Sequence, residues 1–363
     1  MITKKVFIGV LIAISPAGSA TVHGQVLATQ RAGFGLPPGQ VAAPNTPGGG
    51  VVIGSNVWAT DAVWGLRHYI PADPANPDPV NTGILVFDTA NDGTSTVSGA
   101  LCIPFCKAGQ VAYDGNQTIY VASKDQPKGQ PSSLNQPGVY RFVIDPVSGV
   151  FPGLGTLLVP NAGLAGNLPT AVALGPDGNV YVGFEKNGNV VRIVNPLVDP
   201  SNDPNKTQIV QSVGGSPNGR PIRGLAFVGP DLYVASSDSL SVIKNAVAST
   251  CQGGCNAVPI QDGFLGQAHV GITSDGLNRV YVAINGQGVW RYTISTQAMQ
   301  PVANGGTDPN GVALTFAFVG GHSNLLQLDR LGNLWIGDDT SDGNANFSGR
   351  IFYVSAGALS SIP

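Results

Sequence analysis

The sequence predicts an all-β chain, a six-bladed β-propeller with four-stranded antiparallel blades, on three observations. The first is an internal repeat. Six apolar–aromatic triplets recur: Val57-Trp58-Ala59, Ile119-Tyr120-Val121, Val180-Tyr181-Val182, Leu232-Tyr233-Val234, Val280-Tyr281-Val282 and Leu334-Trp335-Ile336. Their aromatics are separated by 62, 61, 52, 48 and 54 residues. The second is what flanks them. An apolar run and a glycine turn usually precede each triplet, and a further strand-like run follows. The third is composition. With 50 Gly and 28 Pro among 363 residues, 42% hydrophobic and 11% charged, the chain suits many short strands around a large core and does not suit long helices.

The elements follow in order. Lys4 and Lys5 precede the apolar stretch Val6–Ile14, and Ala17-Gly18-Ser19-Ala20 offers small residues for cleavage, so residues 1–20 read as an export signal. The stretch is too short to span a bilayer. Residues 21–48 form a Gly/Pro-rich lead-in, and residues 49–363 the propeller. Gly49–Ile53 is expected as the innermost strand of the first blade. Third strands are expected at Ile84–Phe87, Val139–Phe142, Val190–Ile193, Leu240–Ile243, Val289–Tyr292 and Arg350–Tyr353. The last blade lacks a fourth strand near Pro363, and residues 25–29 are expected to return and supply it, which would cover an open sheet edge. Such units bury one sheet face only by stacking on a neighbour, and radial closure is the usual solution. Two stacked β-sandwiches are the competing architecture, and six near-equal units argue against them. With 18 Lys+Arg against 21 Asp+Glu, the chain has no basic excess to neutralise phosphates, so a nucleic-acid partner is excluded. No second apolar run reaches membrane-spanning length, and no stable membrane insertion is expected.

The segments Pro169–Gly183 and Leu328–Gly337 resemble repeats of NHL-type propellers. They are similar also to the senescence-marker-protein/gluconolactonase family of six-bladed propellers. The resemblance covers roughly residues 50–355 and implies the fold more than an activity, because this repeat serves many functions. The lactonase family implies metal-binding Asn and Asp where the innermost strands begin, with a Glu near the first blade. The corresponding positions here are Gly109, Thr170, Arg223, Val270 and Asn324, of which only Asn324 is a suitable ligand. Pro309-Asn310-Gly311 resembles a family motif but stands out of register, so the family's metal triad is not reproduced.

The cysteines form two C-x3-C pairs, Cys102/Cys106 and Cys251/Cys255. In a six-bladed ring they lie three blades apart, too far for cross-pairing. Local Cys102–Cys106 and Cys251–Cys255 disulfides are therefore expected, in agreement with a secreted, extracellular or periplasmic location.

Each blade carries a polar residue just past its second strand: Asp61, Asp125, Glu185, Asp238, Asn285 and Asp338 with Asp339. Asp and Asn here are read either as solvated turn formers or as a rim that attracts cations or polyhydroxyl ligands. His68, His269 and His322 belong to consecutive blades of a closed ring, with Asn324 and Asp338 near, a set suited to a metal or general-base site. Asp338, Thr340 and Asp342 alternate oxygen ligands like half a calcium loop, without the closing Glu. The candidate ligand-binding residues are thus Asp61, His68, Arg223, His269, Asn285, His322, Asn324 and Asp338, and Ca2+ or another divalent cation is the candidate cofactor. No nucleophile elbow, H-E-x-x-H or phosphate loop occurs. The first expectation is a binding scaffold for a small molecule, carbohydrate or protein on the channel rim. The alternatives are a metal-dependent lactonase or esterase, or a propeller lyase with a histidine base.

Overall fold

The computed structural model describes residues 25–26, 28–33, 47–53, 56–61, 65–69, 106–125, 137–143, 156–160, 168–186, 188–197, 207–212, 220–237, 239–251, 255–262, 269–307, 311–316, 318, 325–341 and 347–362. Strand β1 (Ala28–Gly33) comes first, and β2 (Pro47–Ile53), β3 (Asn56–Asp61) and β4 (Gly65–Tyr69) form a sheet. The next four sheets each take four consecutive strands. They are β5 (Cys106–Tyr113), β6 (Thr118–Asp125), β7 (Gly138–Val143) and β8 (Thr156–Pro160); then β9 (Pro169–Leu174), β10 (Val180–Phe184), β11 (Asn189–Ile193) and β12 (Thr207–Ser212). After these come β13 (Ile222–Val228), β14 (Asp231–Ser236), β15 (Ser239–Ile243) and β16 (Ala257–Asp262), then β17 (His269–Ser274), β18 (Arg279–Ile284), β19 (Gly288–Thr293) and β20 (Ala298–Ala303). The last sheet joins β21 (Gly305–Thr307), β22 (Ala313–Thr315), β23 (Leu326–Leu328), β24 (Leu334–Ser341) and β25 (Phe347–Val354) with β1, before a short helix α1 (Ala356–Ser360).

The innermost strands β2, β5, β9, β13, β17 and β23 each pack against the next, and β23 packs against β2, so the sheets close a ring. The molecule is a β-propeller. Five sheets hold four strands or more and are full blades; the sheet of β2, β3 and β4 holds three among the described residues. Among the described residues five sheets are thus full blades, where six were expected. The third place in that smaller sheet belongs to β4, a run interrupted by Arg67 and His68 that its charge disguised in the sequence. The third strand expected at Ile84–Phe87 lies outside the described residues.

The repeat aromatic explains the packing. In each four-stranded unit it pairs with a small residue of the innermost strand: Ala112↔Tyr120, Ala173↔Tyr181, Ala226↔Tyr233 and Thr273↔Tyr281. The rings are thereby turned into the seam with the next sheet. Tyr120 is buried with Val172 and Val182, Tyr181 with Ile222 and Val234, and Tyr233 with Ile272 and Val282. Trp335 completes the cycle by packing with Val57 and Ala59 of the first sheet. A buried aromatic of this size contributes on the order of 2–3 kcal/mol through its area alone.

Near the axis the innermost strands come too close for side chains. A Cβ on Gly109 would lie 1.9 Å from the Thr170 carbonyl oxygen, and one on Gly49 would lie 2.2 Å from the Cα of Gln110. On the side of β25 away from the axis β1 runs antiparallel to it, with Thr29 opposite Tyr353 and Gln30 opposite Phe352, and β21 pairs parallel with the far side of β1. The strand nearest the N-terminus thus joins the sheet nearest the C-terminus and covers its edge.

Candidate functional site

The axis is where side chains from distant sheets meet. The innermost strand β5 carries a bulge: Ala108 to Val111 spans three steps opposite two steps from Ser123 to Val121. The extra residue turns Gln110 toward the axis. Its amide nitrogen donates to the Leu225 carbonyl at 2.7 Å, and its amide oxygen accepts from the Leu225 N–H at 2.8 Å and the Val172 N–H at 3.3 Å. The innermost strand of a blade has one edge with no partner strand. Gln110 supplies that edge with the two groups a neighbouring peptide unit would offer, across 115 residues of sequence.

Beside this bridge lies an axial cavity of about 240 Å³, lined by the C-terminal halves of all six innermost strands. Its wall is divided. On β9 and β13 it is apolar, with Ala173, Leu174, Ala226 and Phe227; on β17, β23 and β5 it carries Thr273, Ser274, Gln327 and Tyr113. Ser274 donates its hydroxyl to the Phe227 carbonyl at 2.5 Å, and Tyr113 donates to the Asn116 carbonyl. Burial, with the nearby Asp114 carboxylate adding to it and Arg330 opposing it, pushes the Tyr113 hydroxyl above its ordinary pKa, so it stays protonated at neutral pH. Tyr113 is the one titratable side chain among the described lining residues, and the wall is uncharged.

The sequence-derived candidates lie elsewhere. Arg223, at the start of β13, is buried, and its Nη1 lies 2.9 Å from the Glu185 carboxylate in the turn after β10. Asp338 is fully buried on β24, accepts the Phe318 N–H at 2.6 Å and stands opposite Arg350 of β25. That anchors the segment around Phe316 and Phe318 to the last sheet and gives Asp338 a structural task. Asn285 sits half-buried in the turn after β18. His269 opens the innermost strand β17, whereas His68 is on β4, opposite Trp58 and two strands out from the axis. Asp61 ends β3, and Thr340 lies on β24 opposite Ser348. His322, Asn324 and Asp342 lie outside the described residues. Arg223, His269, Asn285 and Asp338 are thus distributed over three sheets. No cluster of three or more His, Cys, Asp or Glu side chains occurs among the described residues. Cys251 and Cys255 form the expected disulfide, with Cα atoms 4.9 Å apart; the Cys102–Cys106 pair lies outside the described side chains.

Two repeated devices escaped the sequence reading. Third-strand arginines reach the next sheet: Arg141 Nη1 donates to the Pro196 carbonyl at 2.8 Å, Arg192 Nη1 to Val247 at 3.1 Å and Arg291 Nη1 to Ile362 at 3.3 Å. Their signal was the arginine at one place in Val139-Tyr-Arg-Phe, Val190-Val-Arg-Ile and Val289-Trp-Arg-Tyr. By register His68 takes that place in the first sheet, opposite Trp58 as Arg141 is opposite Tyr120. The second device is the hairpin asparagine. Asn179, Asn278 and Asn333 accept from the backbone N–H of Asn195, Ser295 and Ala356, tying the first turn of a blade to its third-strand exit.

Fold and axis define the chain as a β-propeller with a central polar bridge. No protein-family model and no curated protein matches it. Among solved structures it is similar to a gluconolactonase from Xanthomonas campestris, with a TM-score of 0.52 and 13% identity over 92% of this chain and 99% of that one. A protein of unknown function from Bacteroides thetaiotaomicron matches with a TM-score of 0.53 and 14% identity, covering 90% of this chain and 74% of the other. An extracellular domain from the same organism matches with a TM-score of 0.50 and 13% identity, covering 90% of this chain but 40% of its own. At these identities the likeness is one of fold.

Proposed function

We propose that this is an exported propeller, secreted or periplasmic, that binds a ligand or partner through one end of its central channel. The observation that carries the reading is the axial cavity: every innermost strand contributes to it, and its described wall is polar on one side, apolar on the other and uncharged. Concave sites of that kind hold small molecules. A wall whose one titratable group is a protonated tyrosine lacks a group poised for proton transfer near neutral pH. Export is supported by the Cys251–Cys255 disulfide, which an oxidising compartment would preserve.

A second reading is a metal-dependent lactonase or esterase, favoured by the structural likeness to a gluconolactonase. It would use the opposite end, where the innermost strands begin and where Arg223 and His269 stand. A divalent ion such as Ca2+ would need oxygen or imidazole donors there. Among the described residues Asp338 is committed to Phe318, and Glu185 to Arg223. Those commitments fit a divalent ion poorly. The two readings separate in one experiment. The protein is purified without chelator, its metal content is measured, and it is assayed on a panel of lactones and esters. The binding reading predicts no stoichiometric ion and no turnover above the uncatalysed rate; a bound ion with EDTA-sensitive turnover contradicts it.

A further inference from the structure

Resting on the binding reading above, we infer that the axial cavity takes a small neutral molecule bearing several hydroxyl groups, of about monosaccharide size. Ser274 has committed its hydroxyl hydrogen to the Phe227 carbonyl, and Tyr113 has committed its own to the Asn116 carbonyl. Toward the cavity these oxygens can only accept. Gln327 donates one amide N–H to the Leu328 carbonyl at 3.0 Å, leaving its amide oxygen as an acceptor beside its second N–H. Acceptors therefore predominate on this wall, with the Thr273 hydroxyl and one Gln327 N–H as its donors, and a ligand that brings several hydroxyl groups serves both.

Charge and shape narrow the class further. The described wall carries no ionised side chain, so a charged ligand would lose its hydration without gaining a counter-charge. The facing wall of Ala173, Leu174, Ala226 and Phe227 offers an apolar surface with one aromatic ring. The Phe227 ring is held edge-on to Tyr181 at 4.8 Å between centroids, so its position is set before any ligand arrives. A molecule with a donor-rich edge and a C–H face matches both walls. The cavity's 240 Å³ suits a single ring. Gln110 closes the inner end, because its amide is fixed to Leu225 and Val172 on both sides of the axis.

The test is calorimetric titration of the whole protein with D-glucose, D-galactose and myo-inositol. Gluconate and glucosamine serve as charged molecules of the same size. Saturable binding of at least one neutral polyol, with both charged probes at least tenfold weaker, is expected. Thr273→Val keeps the volume of the wall and removes a hydroxyl, and it is expected to weaken binding about tenfold, the worth of one neutral hydrogen bond. Ala173→Leu fills the cavity and is expected to abolish binding; a retained melting temperature shows that either variant is folded. Should Ala173→Leu prove unfolded, Thr273→Val alone decides. Equal or tighter binding of gluconate or glucosamine overturns the ligand class while leaving the binding reading intact. No saturation by any neutral polyol, or saturation unchanged in both variants, overturns the proposal. The metal and turnover assay judges the broader reading separately.

Discussion

Gln110 is one residue inserted by a bulge, and it joins three sheets. Replacing it with alanine removes three hydrogen bonds and leaves the Leu225 and Val172 backbone groups facing the channel. Gln110→Ala should lower stability by about 2–3 kcal/mol in urea denaturation, less than the full desolvation penalty because water can enter. Gln110→Glu is more diagnostic. A carboxylate can accept from the two N–H groups but cannot donate to the Leu225 carbonyl, and burial favours its protonated form. The folded-state pKa is then raised, so the variant should be most stable below about pH 5 and lose stability as pH rises toward about 8, whereas the parent should be flat over that range. The repeat tyrosines act at the other end of the scale. Burial pushes Tyr120 and Tyr233 up to about 12. Their contribution is complete below the ordinary value near 10 and disappears between about pH 10 and pH 12, so tyrosinate absorbance should appear together with loss of the β-sheet dichroism. Ionisation well before unfolding would contradict their burial.

At the scale of the element, the third-strand arginines act as staples between sheets. Arg192 is nearly buried, 3.9 Å from Asp177 and bonded to the Val247 carbonyl. Removing it leaves Asp177 still bonded to Asn179 and Tyr181, so Arg192→Leu should cost about 1–2 kcal/mol and should loosen the seam locally. Amide exchange at Ala246 and Ala248 should quicken while that of the first sheet is unchanged. The Cys251–Cys255 bond closes a loop with a sequence separation of 4, so its reduction should lower stability by about 2 kcal/mol. What was legible in the sequence follows the same division. Strands with a period-two apolar pattern, such as Val190–Ile193 and Val289–Tyr292, were readable because half of their side chains face a core. Strand β4 was not, because its Arg67 and His68 break that pattern. The bridge at Gln110 was not, because a bulge is a difference in count between two paired strands and is invisible in either alone. How far His68 and His269 stand from the axis was not legible either, for a related reason. Spacing from the repeat aromatic gives a residue's height along the axis but not its distance from it, and His68 and His269 differ in the latter.

For the molecule as a whole, stability comes from closing the ring. Each of the six seams between sheets holds its own buried cluster. Unfolding should therefore be cooperative, and a chain lacking residues 28–33 should expose the β25 edge and associate, giving oligomers in gel filtration where the parent gives one species. Radial arrangement was legible from the six spaced aromatics, because near-equal units that bury one face each have few ways to close. The number of full blades was not, since a repeat aromatic marks a second strand and says nothing of a fourth. The most direct test of the account is a crystal structure that resolves the axis. It should show the Gln110 amide bonded to both backbone groups of Leu225, with the cavity beside it walled by β5, β9, β13 and β17. Two sheets packed face to face, with Gln110 in solvent and no shared axis, would contradict it.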